Sequence, residues 1–153
     1  MIATAADTEG SMHIRAMAVV ILVALLVVAP PVTAGDPVKV VYHLNEGLEQ
    51  ATRAMTNLRN HLSADPTAKI VVVAHGRGID FLLKDAKTPS GGAFVTDVDE
   101  LALRGVEFRV CRFTLERRGV DPSRVVSDAK LVPSGVAEVA RLQSVEHYAY
   151  LRP

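Results

Sequence analysis

At 153 residues the chain has room for one domain with a real core. A formal net charge of zero and 5% aromatics argue against a basic nucleic-acid binder or a base-stacking platform. A single cysteine leaves no internal disulfide to staple the fold.

The N-terminus reads as an export signal. His13 and Arg15 precede an apolar run from Ala16 to Ala29, and Pro30-Pro31 break it. Val32-Thr33-Ala34 then supplies the small residues that a signal peptidase reads, so residues 1–34 are expected to be cleaved, leaving Gly35 first. Met12 is an alternative start. The rival reading is an uncleaved anchor, membrane-bound only through this segment, but the run falls short of the ~20 residues a spanning helix needs.

Val38 to Leu44 is rich in β-branched residues and reads as a strand ended by Asn45 and Gly47. Leu48, Ala51, Met55, Leu58 and Leu62 then recur at helical spacing, up to a stop at Asp65-Pro66. Lys69 to Ala74 is a continuous apolar run, the pattern of a strand covered on both faces. His75-Gly76-Arg77-Gly78 is a glycine-rich turn, and Ile79 to Leu83 begins a short helix. Lys87 to Gly92 is a flexible-looking segment, either a flap or a plain surface loop.

Thr96 to Arg104 reads as a helix with Thr96 as N-cap, Val98, Leu101 and Ala102 inward and Gly105 as its stop. From Val106 to Val110 apolar and polar residues alternate as in a strand with one buried face. Phe113 to Arg118 is a short helix closed by Gly119, and Asp121-Pro122-Ser123 is a turn. Ala129 to Val132 reads as a short strand. Pro133-Ser134-Gly135 opens a helix with Val136, Val139, Ala140 and Leu142 on one face, and Tyr148 to Leu151 is a last strand. Five strands alternating with helices predict an α/β fold with a mostly parallel sheet and helices on both faces.

Cys111 falls where the third strand gives way to a helix, and strand ends are where sites collect in such sheets. Helix N–H groups there, with Arg109 and Arg112 nearby, favour a reactive thiolate. The other reading is a small buried hydrophobe, the usual role of a free cysteine. If the first three strands are neighbours, Asn45 and His75 open onto the same edge, and His75 can serve as base or hydrogen-bond donor to the thiol. Gly76 and Gly78 can cradle an anion at the next helix start, or simply turn the chain tightly. His43, His61, His75 and His147 are scattered without ligand spacing, so no metal and no cofactor are expected.

The mature chain resembles the DsrE/DsrF-like family of small α/β proteins associated with sulfur oxidation and sulfur relay. The resemblance rests on five stretches in the right order: the Lys39–Leu44 strand, His75-Gly76-x-Gly78-Ile79-x-Phe81-Leu82-Leu83, Gly105-Val106-x-Phe108-x-Val110-Cys111, Val132-Pro133-Ser134-Gly135-Val136 and Tyr148-Ala149-Tyr150-Leu151-x-Pro153. It implies a flavodoxin-like three-layer sandwich over residues 35–153 and a trimeric or hexameric homo-oligomer. It also implies a cysteine, here Cys111, that carries sulfur as a persulfide, with a sulfur donor or acceptor as partner. Relay members of the family are cytoplasmic and work with partner subunits; an exported chain with one cysteine departs from that pattern. The expected function is therefore an exported sulfur carrier or sulfurtransferase-like protein. Its alternative is a non-catalytic oligomeric module that binds a small ligand and keeps Cys111 as packing.

Overall fold

The computed structural model describes residues 35–153, so the signal-segment expectation for residues 1–34 lies outside the described residues. Strands β1 (Lys39–Leu44), β2 (Lys69–Ala74), β3 (Glu107–Cys111), β4 (Ala129–Val132) and β5 (Ala149–Leu151) form one sheet in the order β4-β3-β2-β1-β5. Every pairing is parallel. The helices are α1 (Leu48–Ala64), α2 (Phe94–Leu103), α3 (Arg112–Arg118) and α4 (Gly135–Ser144), with 3-10 segments at Gly76–Leu82 and Pro122–Arg124. This is the expected α/β sandwich with a parallel sheet.

The layering follows from the path of the chain. It steps from β1 through β2 and β3 to β4 in one direction, then returns across the sheet to lay β5 beside β1. Right-handed crossovers place helices on one face for the forward steps and on the opposite face for the return. Accordingly α1, α2 and α3 cover one face, where Val40, Tyr42, Leu44, Ile70, Val72, Phe108 and Val110 join the main core. Phe81 meets both Phe94 and Phe108 edge-on, with ring centroids 6.0 and 6.2 Å apart. Each of these fully buried rings contributes about 1.5–3 kcal/mol by leaving water. On the other face α4 packs Val139 and Leu142 against Val41, Val71 and Val73, with Tyr148 beside them.

Several local expectations are corrected. Helix α2 starts at Phe94, not at a Thr96 cap, because the buried Phe94 ring draws the first turn upstream. The segment after His75 is a 3-10 helix from Gly76, tightened because Gly78 is pressed against the end of β1. On α4, Val136 and Ala140 are exposed, and only Val139 and Leu142 carry the contact, because this helix meets the sheet along a narrow stripe. Leu48, in the first turn of α1, is also exposed. The 87–92 segment is a turn closed by its own backbone: the Thr88 N–H donates to Gly92 and the Gly91 N–H to Thr88. Gln50 is buried in α1, where its side-chain oxygen accepts the N–H groups of Asn45 and Glu46 at 2.8 and 2.9 Å and ties the β1–α1 turn.

Candidate functional site

Alternation along each strand decides which side chains share a face. His43, Arg109 and Cys111 lie in step with Val41, Val71 and Val73 on the α4 side of the sheet. The β2–β3 register pairs Ala74 with Val110, so one step further His75 stands level with Cys111 on the neighbouring strand. Adjacent strands lie about 4.8 Å apart, which brings the two side chains together at the carboxyl edge. Gly135, the first residue of α4, is packed against both. A β-carbon there would lie 3.0 Å from His75 Cβ and 3.2 Å from Cys111 Cβ.

Cys111 is the residue before α3, and its thiol lines a cleft of about 290 Å³ with His75, Gly76, Phe113, Thr114, Arg117, Ser134 and Val136. The residue is only 5% exposed. Burial pushes the thiol pKa up, but the Thr114 hydroxyl and the backbone N–H groups of Gly135, Thr114 and Phe113 outweigh it. The net position is below the ordinary thiol value, so the thiolate forms more readily here than on a free cysteine.

This stabilisation comes from dipoles, not from the arginines. Arg109 is half-buried beneath α4 and paired with Glu107 at 3.0 Å and with Glu138. Its work is to hold α4, and hence Gly135, over the sheet. Arg112 is exposed and does not line the cleft; Arg117, further along α3, does.

The other expected site residues separate. His75 and Gly76 line the cleft. Gly76 has φ +57°, its N–H donates to Thr114 Oγ1 at 3.0 Å, and its carbonyl accepts from Arg118 at 3.0 Å. With its N–H taken, Gly76 locks α3 to the end of β2 and is not an anion cradle. Gly78 is a packing glycine: a β-carbon would sit 2.2 Å from the Leu44 carbonyl oxygen. Asn45 donates its backbone N–H to Gln50, its side-chain Oδ1 is buried without a partner, and it stays outside the cleft.

Next to His75 stands a residue that sequence reasoning passed over. His43 Nε2 is 2.6 Å from His75 Nε2, and His43 Nδ1 is 2.8 Å from the Tyr150 hydroxyl. The imidazole centroids are 4.8 Å apart. That spacing, with the nitrogens so close, means that the rings meet end to end through a hydrogen bond. Burial holds both histidines below their usual pKa; His43 is lowered further by His75 and by Arg152. Tyr150, His43, His75 and Cys111 thus form a row across β5, β1, β2 and β3. Thr114, Gly135, His43 and Tyr150 were all unassigned in the sequence. Three of them, His43, Gly135 and Tyr150, lie in stretches that carry the family resemblance, but no role was attached to them there. Among the described residues no group of three His, Cys, Asp or Glu side chains gathers as a metal site.

The DsrE/DsrF-like family model matches residues 39–153. Among solved structures, MTH1491 from Methanobacterium thermoautotrophicum, a protein of unknown function, is 31% identical, with a TM-score of 0.67. The match covers 76% of this chain and 99% of that one. The ychN protein from E. coli shares the fold, with a TM-score of 0.61 at 12% identity, covering 74% of this chain and 99% of its own. No curated protein matches the chain.

Proposed function

The chain belongs to the DsrE/DsrF-like family, and on that premise we propose that it is a sulfur-relay protein carrying sulfur on Cys111 as a persulfide. The observation that supports this most is the set of donors around the sulfur: a hydroxyl and three backbone N–H groups that outweigh burial and favour the anion. Loading needs no oxidant. The Cys111 thiolate attacks the outer sulfur of a donor persulfide, R–S–SH. A new S–S bond forms, the donor S–S bond breaks, and RS⁻ leaves with the electron pair. Delivery is the reverse exchange: an acceptor thiolate takes the outer sulfur, and the Cys111 thiolate is released.

We propose further that the protein is exported through residues 1–34 and assembles as a homo-oligomer. The exposed Phe113, Val136, Val145 and Leu103 supply apolar surface for association. Intact mass of the exported product and light scattering at micromolar concentration test these two points.

The second reading keeps Cys111 as packing beside a small-ligand cleft, and its 5% exposure favours that reading. Thiol titration of the folded protein, followed by mass spectrometry after treatment with polysulfide, separates the two. Sulfur on Cys111 supports the carrier; a thiol inert until denaturation supports the packing role.

A further inference from the structure

We propose that Tyr150, His43 and His75 form a proton path from the β5 edge of the sheet into the Cys111 cleft, and that it takes the proton from an incoming acceptor thiol. This rests on the sulfur-carrier reading. The carrier alone does not require such a path, because the thiolate of Cys111 is stabilised by other groups.

Two ring nitrogens 2.6 Å apart must have a hydrogen between them. A neutral imidazole carries one N–H, so the pair shares two hydrogens among four nitrogens, one of them in the bridge. If His75 donates the bridge, His43 must carry its other hydrogen on Nδ1 and donate it to the Tyr150 oxygen, and His75 Nδ1 is then a bare base on a ring that lines the cleft. If His43 donates the bridge, Tyr150 O–H donates to His43 Nδ1, and His75 Nδ1 carries the proton. Moving between these arrangements carries one proton from the cleft side to Tyr150, which is 40% exposed. His75 is the group that meets the acceptor. His43 and Tyr150 are positioning residues that act through it.

The balance is simple. An acceptor R′–SH gives its proton to His75 Nδ1. R′–S⁻ attacks the outer sulfur of Cys111–S–SH, the inner S–S bond breaks, and the Cys111 thiolate leaves with the electron pair. The bridging proton passes to His43, and the surplus proton leaves by way of Tyr150. The surroundings do not compete for it. On the β5 side the charged groups are Arg152 and Glu46, paired with each other. On the cleft side are Cys111 and Arg117, and α4 brings the uncharged Ser134 and Gly135. Further along α4, Glu138 is engaged by Arg109 and Arg141.

The test loads Cys111 with polysulfide and follows delivery to 2-mercaptoethanol across pH, with loading measured separately by mass. Near neutral pH, His75→Gln should slow delivery about a hundredfold or more, in the range of lost general-base help, and His43→Gln and Tyr150→Phe should slow it by a smaller factor, about threefold. Above the acceptor's own pKa the thiolate is already formed, and all variants should match the wild type. Wild-type imidazole signals in NMR should show the two rings titrating together, with His75 titrating alone in His43→Gln. Delivery equally slow at every pH, or two rings titrating independently in the wild type, overturns the path. Normal loading with such a result leaves the carrier intact; failure to load overturns the carrier itself.

Discussion

His75 and Cys111 stand level on neighbouring strands, and Gly135 is the reason they can, since it presents no β-carbon to either. Gly135→Ala would crowd both side chains at 3.0 and 3.2 Å. Overpacking of this kind costs about 1–3 kcal/mol. The better helix preference of alanine returns up to about 1 kcal/mol, so net destabilisation should be about 1 kcal/mol. Urea unfolding measures it, and alkylation of Cys111 should slow in the same variant because α4 is pushed away from the sulfur.

Thr114 lowers the pKa of the Cys111 thiol beside it and accepts the Gly76 N–H at 3.0 Å. Thr114→Val keeps the shape and removes the hydroxyl that does both. Leaving the Gly76 N–H unpaired should cost about 1–3 kcal/mol. The pH profile of iodoacetamide alkylation should move to higher pH as the thiolate loses a donor. Arg112→Ala should leave that profile where it is, since this side chain lies outside the cleft.

Acid should weaken the fold through the histidine pair. Both groups have a folded pKa below the ordinary 6.5, so in the window beneath 6.5 the unfolded chain binds more protons than the folded one. Their contribution is fully present above about 6.5 and is lost as pH falls through the folded values. Urea midpoints should therefore drop between pH 7.5 and pH 5. The drop should be smaller in His43→Gln, which removes one of the two groups and the repulsion it shares with His75.

How much of this was legible depended on the range of each signal. The Ile70–Ala74 run and the alternation before Cys111 are local patterns, and both strands lie where those patterns put them. The position of Cys111 at a strand–helix boundary was legible for the same reason. The helix bounds shifted where one buried ring, Phe94, overrode a capping residue. The charge argument for Arg109 and Arg112 went astray because sequence neighbours on a strand and a helix point in different directions. Arg109 found Glu138, 29 residues away, under α4. His43 and Tyr150 read as ordinary strand residues. They are 107 residues apart, and only the return of the chain to place β5 beside β1 brings them into contact.

The proposed sulfur-carrier role depends on whether Cys111 of the folded chain takes up a sulfur atom. The most direct measurement is intact-protein mass spectrometry of the folded chain after brief exposure to polysulfide, repeated after a small thiol is added. A gain of one sulfur atom mapped to Cys111, its removal by the thiol, and no gain in Cys111→Ser are expected. A folded protein that stays unmodified, and takes up sulfur only after denaturation, would contradict it.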